Sequence, residues 1–532
     1  MSDSFFKGTM VLTAAGIIVK VTGALNWIFL SRVLGGEGIG LYQLAFPIYL
    51  LALSISSAGI PVAISIITAE KLAAKDFRGA NRVFRVSLTV LTITGLITSL
   101  LLYFGAGWLI DEHIVRDARA YYSLVALAPA IFFVTILSSY RGYFQGWQMM
   151  TPTAVSQIVE QLLRVITMLI FANLLLPQGL EYAAAGASFG AFPGAVFGLL
   201  VLFYYYWKLQ GNFKRKMDLQ DAGVQQENNF SIIKRVAKLA IPVSLASIML
   251  PVVANLDLLI VPYRLEVAVY SVEQATKLFG YLTGMAVPLV NMSTILTASL
   301  ATSLVPAVAE AAAQGNRQAI YWRAAGAMRI SNLITIPGFV GLCLLATPIS
   351  QIFYASPEAG GPISVLAVGI FLLGIHQVTT GVLQGLGHTA IPVINMIAAA
   401  VFKVIMNWTL TALPALGIIG ASWATVADFG VAALLNMYFM KRYTGFIINM
   451  EEFIKIIIAG ACMGAVVLGV YDVVLPVNSV AATVLAMVGG SLIYGIVLLL
   501  MGALTGRDIA RMPLIGTKLV KVLYRIKWIK KD

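Results

Sequence analysis

Thr153-Ala-Val-Ser-Gln-Ile-Val-Glu160-Gln-Leu-Leu-Arg164-Val-Ile-Thr-Met-Leu-Ile-Phe-Ala-Asn-Leu-Leu-Leu176 is long and apolar enough to cross a bilayer as one helix, yet it carries an acid and a base near its middle. Glu160 and Arg164 are four apart, so on a helix they share one face. A charge facing lipid at mid-bilayer costs at least about 2.5–3.5 kcal/mol. That face therefore looks into a protein interior or a wet cavity. An ion pair that merely neutralises itself inside the bundle is the bland account of the same spacing.

The pattern recurs along the chain. Lys20, Asp257, Lys277, Lys403 and Asp428 also fall within long apolar stretches. Lys20 has about eleven apolar-rich residues on either side, which makes snorkelling to an interface difficult. Lys277 and Asp257 lie nearer the ends of their segments, where snorkelling is easy. Asp428 is placed to pair with Lys403 or to take part in ion coupling. Four cations against three acids point to an anionic cargo.

The whole composition agrees with a polytopic membrane protein. Of 532 residues, 59% are hydrophobic and 11% charged, with a mean hydropathy of +0.89; soluble domains are nearer one-quarter charged. The apolar run after Met1–Lys7 is too long for the core of a cleavable signal, so the first helix is expected to remain as a span. Cys343 and Cys462 both sit in spans, which argues against a disulfide framework or structural zinc. His113, His376 and His388 form no ligand pattern. No phosphate-binding glycine loop, nucleophile elbow or metal-hydrolase motif is present, so a transporter rather than an enzyme is expected, with no cofactor. The net charge of +13 lies mostly in loops and at the C-terminus, which suits anionic lipid headgroups and not nucleic acid.

Fourteen helices of about 20 residues or more can be drawn, the first four at 9–33, 40–67, 84–110 and 120–146, the fifth at 153–176 and the eighth at 277–304. Lys71, Lys75, Arg78, Arg82 and Arg85 fill the second loop, and the sixth is equally basic, which places both termini in the cytoplasm. Gly40–Pro47 resembles Gly280–Pro288, Gln145-Gly146 resembles Gln384-Gly385, and Arg164-Val-Ile falls opposite Lys403-Val-Ile, all at an offset near 240. Two parallel six-helix lobes follow, related by a pseudo-two-fold axis along the membrane normal. The expected divisions are 1–207, a cytoplasmic linker 208–236, a second lobe 237–442, helices 13 and 14 over 443–505, and a basic amphipathic tail 506–532 that lies on the anionic inner leaflet. The small-residue run Ala183–Ser188 permits close helix packing.

Fourteen spans, two lobes, a charged interior and the segments Lys20-Val-Thr-Gly-Ala-Leu-Asn26 and Ser31-Arg-Val-Leu-Gly-Gly-Glu-Gly-Ile-Gly-Leu-Tyr-Gln43 resemble the multidrug/oligosaccharidyl-lipid/polysaccharide exporter superfamily. Within its polysaccharide-biosynthesis branch, the likeness is to the MurJ-type lipid II flippase and stage V sporulation protein B group of Gram-positive bacteria. The resemblance implies a monomer in the cytoplasmic membrane that moves an undecaprenyl-pyrophosphate-linked glycan, lipid II, by alternating access. It also implies that basic residues hold the pyrophosphate. Lys20 and Lys277 match family arginines in helix 1 and at the start of helix 8. Asn26 stands where a second helix-1 arginine is found and Trp27 where an acid is expected, so Arg164 and Lys403 are expected to supply the missing charge. Glu160, Asp257 and Asp428 are then the acids that tune release or couple an ion, and membrane potential or an ion gradient drives the cycle. The rivals are another undecaprenyl-linked glycan such as teichoic acid or capsule, a cation-coupled multidrug exporter, or a scaffold that recruits cell-wall or sporulation enzymes.

Overall fold

The computed structural model describes residues 2–57, 59–218 and 227–504. Within them the chain runs through α1 Ser2–Ser57, α2 Ile60–Ala73, α3 Phe77–Asp111, α4 Tyr121–Gly146, α5 Met150–Leu175, α6 Leu180–Phe189, α7 Ala191–Asp218, α8 Asn229–Val267 and α9 Val272–Gly280. It continues through α10 Val287–Ser293, α11 Ile295–Ala313, α12 Arg317–Leu344, α13 Ala346–Tyr354, α14 Gly360–Gly385, α15 Ala390–Leu410, α16 Ile418–Thr444, α17 Met450–Val474 and α18 Ser479–Leu500. There is no strand among the described residues. The basic tail 506–532 lies outside them.

Among the described residues, thirteen helical stretches are long and apolar enough to cross a membrane, and the first, Ala14–Ala73, is 60 residues long. It serves as two spans. Trp27 and Tyr42 would be about 22 Å apart along a straight helix, but their rings meet edge-on at 5.7 Å. The chain therefore folds back between them. It does so at Gly35, whose φ of 63° and ψ of −174° belong to a region open essentially to glycine alone. The expected loop between 33 and 40 is thus a single residue. Fourteen crossings result, as the hydropathy reading requires.

Other boundaries move for local reasons. The expected span 40–67 is interrupted at Gly59, where φ is +75° and Pro61 starts α2 afresh. The expected span 277–304 is built from α9, a π-helical turn at Tyr281–Ala286, α10 and α11, with Pro288 just after the π turn. The expected linker 208–236 is largely helical, because α7 continues to Asp218 and α8 begins at Asn229.

The internal repeat is visible in packing. A Cβ at Gly142 would stand 2.6 Å from the Pro61 carbonyl oxygen, and one at Gly381 would stand 2.7 Å from that of Ala301. Gly146 meets Ser65 and Thr68 just as Gly385 meets Val305 and Val308. Each pair is offset by 239 or 240 residues. The N-caps repeat too: Asp76 accepts from the Gly79 amide at 2.8 Å and Asn316 from that of Ala319 at 2.9 Å. The run Ala183–Ser188 is a packing device, with Gly186 closing on the Phe171 carbonyl oxygen at 2.7 Å from its would-be Cβ.

The compact units are Met1–Gly284 and Met285–Asp532. This division differs from the expected boundaries at 207 and 237. Residues 237–284 pack with the first unit, α8 against α1 and α2, and α9 against α1. The reason is backbone contact. A Cβ at Gly40 would lie 2.0 Å from the Thr276 carbonyl oxygen, and one at Gly280 would lie 2.2 Å from that of Gly36. Gln43 donates to the Thr283 carbonyl at 2.8 Å. Asp117 fixes the same end, accepting from the Thr276 hydroxyl at 2.9 Å and from Arg119 Nη2 at 2.8 Å, while Arg119 Nη1 reaches Glu37 at 2.6 Å.

Candidate functional site

In the first unit α5 presents Glu160 and Arg164 on one face, and the two are paired, Nη2 to Oε1 at 3.2 Å. The pair is not self-contained. Arg141, five residues before the end of α4, donates from Nη2 to the other carboxylate oxygen at 2.8 Å and from Nε to the Ser156 hydroxyl at 3.0 Å. One acid is therefore shared by two arginines, and the cluster keeps a net positive charge. The three side chains are 14–21% exposed, so this charge sits in a setting where Coulomb interactions are far stronger than in water.

Neighbouring helices shape the cluster. Tyr42 and Tyr49 of α1 flank Arg164. Arg164 and the buried Tyr49 hydroxyl interact with one another, so the phenol helps to hold the guanidinium on this side. On the opposite side α7 comes unusually close. A Cβ at Gly194 would stand 2.8 Å from the Glu160 carbonyl oxygen and 2.9 Å from Arg164 Cβ, and one at Gly198 would stand 3.1 Å from Glu160 Cβ. Gly194 and Gly198, with Gly190 just before the helix, recur every four residues and give the start of α7 a smooth edge for α5.

The remaining expected site residues distribute as follows. Lys20 is exposed on α1, one turn before Gly23, whose would-be Cβ lies 3.3 Å from Gln161 Nε2 of α5. Lys277 is half-buried on α9 with its Nζ 5.6 Å from the centre of the Tyr281 ring, and Asp257 is half-buried on α8. Lys403 on α15 and Asp428 on the adjoining α16 belong to the second unit; Lys403 is only 5% exposed. Asn26 is buried and donates to Met168 Sδ at 3.7 Å.

The sequence of the chain carries two family signatures. Residues 5–312 match the model of the polysaccharide biosynthesis protein family, and residues 282–409 match the MatE model. Stage V sporulation protein B of Bacillus subtilis is 31% identical over 98% of this chain and 99% of its own length. The chain belongs to the polysaccharide biosynthesis protein family. This places it in the multidrug/oligosaccharidyl-lipid/polysaccharide exporter superfamily. The lipid II flippase MurJ of B. subtilis is 28% identical over 88% of each chain. Among solved structures, a lipid II flippase MurJ shares the fold with a TM-score of 0.68 over 92% of this chain and 98% of its own, at 16% identity. A multidrug resistance MATE family transporter reaches 0.66 over 80% and 94%, at 18% identity. This polysaccharide biosynthesis family member is thus a multi-span membrane protein of a transporter and flippase superfamily.

Two features of this family member escape a reading of single spans. Arg141 falls close enough to the end of α4 to pass for an interfacial charge, and only the α4–α5 packing brings it to Glu160. His376 belongs to a hydrogen-bonded group in the second unit. Asn436 Nδ2 lies 2.9 Å from the Thr380 hydroxyl and 3.2 Å from His376 Nδ1, and Asn395 Nδ2 donates to Asn436 Oδ1 at 2.8 Å. The repeat offset was the available signal. It sets Thr380 opposite Arg141, Asn395 opposite Ser156 and Lys403 opposite Arg164, so the same helical positions are polar in both copies.

Proposed function

We propose that the protein is a flippase for a polyprenyl-pyrophosphate-linked glycan, lipid II, and that it works by alternating access in the cytoplasmic membrane with both termini inside. The observation that carries this reading is the Arg141–Glu160–Arg164 cluster, a net cation held within the membrane-spanning bundle. A pyrophosphate offers several anionic oxygens, and the guanidinium fork binds them in pairs. Glu160 keeps the two arginines paired until an anion competes for them. Lys20, Lys277 and Lys403 add positive charge along the path, and Asp257 and Asp428 are the acids that tune release or couple an ion. The lipid tail remains in the bilayer while the headgroup crosses, so no covalent step and no cofactor are needed. The relative named as a lipid II flippase supports the cargo class.

The MatE match, together with the fold shared with a multidrug resistance MATE family transporter, favours one rival, export of drugs. A cationic drug would meet an arginine surplus in the first unit, which disfavours it. The deciding experiment places purified protein in vesicles and follows lipid II reaching the opposite leaflet. Flipping by wild type and its loss in Arg141→Ala/Arg164→Ala are expected. Flipping that persists in a folded double variant would remove the cluster from the cargo path, and failure of wild type with lipid II alongside success with another undecaprenyl-linked glycan would reassign the cargo.

A further inference from the structure

We propose that the second unit holds a carbohydrate site, in a cleft between α11 and α14, that binds the neutral sugar part of the cargo. The cleft has a volume of about 430 Å³, within the roughly 300–1,000 Å³ of small-molecule sites. Its two walls differ. On α14, His376, Gln377, Thr380 and Gln384 follow one another at helical spacing and make a polar stripe. On α11, Ala298, Ala301, Val305 and Pro306 make a small apolar face. Among the described residues, the lining carries no Asp, Glu, Lys or Arg.

Groups behind the polar wall set its donors. Asn395 Nδ2 donates to Asn436 Oδ1 at 2.8 Å, and Asn436 Nδ2 donates to the Thr380 hydroxyl at 2.9 Å. Thr380 thus accepts and keeps its own proton to give, whereas Thr379 beside it spends its proton on the Ile375 carbonyl at 2.8 Å. Bonds in a chain of this kind polarise one another and strengthen the last donor. Gln377 is anchored at one end of its amide, Oε1 accepting from the Thr297 hydroxyl at 2.6 Å, and the NH2 end remains for a ligand. Gln384, exposed near the end of α14, adds an amide that can both donate and accept.

The internal repeat shows what the second unit has exchanged. Thr380 stands opposite Arg141 and Ala399 opposite Glu160. One copy of this helix pair therefore presents a guanidinium and a carboxylate where the other presents a hydroxyl and a methyl group. Lys403, opposite Arg164, is buried on α15 and is not on the cleft lining. The cationic cluster of the first unit suits phosphate oxygens. The neutral cleft does not, since an anion there would lose water without gaining a counter-charge. A sugar fits both walls: its C–H face covers the alanines and proline of α11, and its hydroxyl and acetamido groups meet the donors and acceptors of α14. The lipid-linked glycan of the flippase reading, on which the assignment rests for its natural ligand, joins both chemistries in one molecule, a pyrophosphate and neutral sugars.

Cysteine protection tests the site with a soluble probe. Full-length protein in phosphatidylcholine nanodiscs, with Cys343 and Cys462 changed to Ala, receives Thr302→Cys on the cleft lining, or Gln318→Cys at the exposed start of α12 as a control. Labelling by a membrane-impermeant methanethiosulfonate is timed alone, with N,N′-diacetylchitobiose, a neutral acetamido disaccharide, and with inorganic pyrophosphate. The disaccharide should slow labelling of Thr302→Cys at least threefold, leave Gln318→Cys unchanged and protect better than pyrophosphate. Gln377→Leu should raise the half-protecting concentration about fivefold, the worth of one neutral hydrogen bond. Gln384→Leu, at an exposed side chain, should do the same without disturbing the fold. No labelling of Thr302→Cys at all, equal labelling with and without the disaccharide, equal protection by pyrophosphate, or a midpoint unmoved in both variants would overturn the site. Lipid II flipping is read separately. Protein that flips but shows no protection loses only this site, whereas protection without flipping keeps the site and removes the transport reading.

Discussion

Gly194 of α7 lies directly against Arg164 of α5, so close that a Cβ on the glycine would stand 2.9 Å from Arg164 Cβ. The charged cluster is thus walled by backbone on one side. Gly194→Val should push α7 away from α5 and admit water beside the ion pair. Overpacking of this kind costs about 1–3 kcal/mol. Thermal unfolding in detergent should show the loss, and Gly489→Ala, with nothing nearer than 3.8 Å to its new Cβ, should not.

Glu160 is the hub of three residues, so its loss should be worse than the loss of either arginine. Glu160→Gln leaves two guanidinium groups facing each other without an acid; removing one partner from a buried pair typically costs about 3–5 kcal/mol. Arg141→Gln leaves Glu160 still paired with Arg164 and should be milder. A double-mutant cycle on Glu160 and Arg141, read by unfolding midpoints, should give a coupling well above that of a surface pair. Additive effects would mean that the shared carboxylate is not what holds the site.

Gly40 and Thr276 are in backbone contact where α1 meets α9, so bulk at Gly40 should part the two helices. With Cys343 and Cys462 replaced, Thr276→Cys should resist a membrane-impermeant thiol reagent, since Thr276 is buried. Adding Gly40→Val should make the same cysteine react. Protection in both proteins would show that this crossing tolerates a side chain.

Asn436 makes hydrogen bonds in the second unit to both Asn395 and Thr380. Asn436→Leu should strand their polar groups, at about 1–3 kcal/mol for each group left unsatisfied. The measurement is again an unfolding midpoint, with Leu434→Met, an apolar change on the exposed face of the same helix, as a control that should have little effect.

The fourteen crossings were legible because hydropathy over twenty residues is a strong signal, and the repeat because glycines and caps recur at one offset. The joints were harder. Gly35, Gly59 and the π turn at Tyr281–Ala286 depend on backbone angles at single residues, which hydropathy does not register. The pairing of Glu160 with Arg164 was readable from helical spacing, since both lie on one element. Arg141 was not, because its partner comes from the neighbouring helix and the distance between them is a tertiary fact. The division at Gly284 was hidden for the same reason. It follows from glycine-to-backbone contact between α1 and α9, whereas the repeat alone sorts residues by ancestry.

The reversal at Gly35 has a practical corollary. With one residue between the first two crossings, that end of the hairpin offers no peptide long enough to enter a protease cleft, accept an epitope tag or display a glycosylation site. Topology reporters inserted there would have to unravel a helix before they were seen, and their silence would be mistaken for burial in the membrane. The exposed residues Glu112 and His113, just after α3, are a place on this unit where a reporter has room.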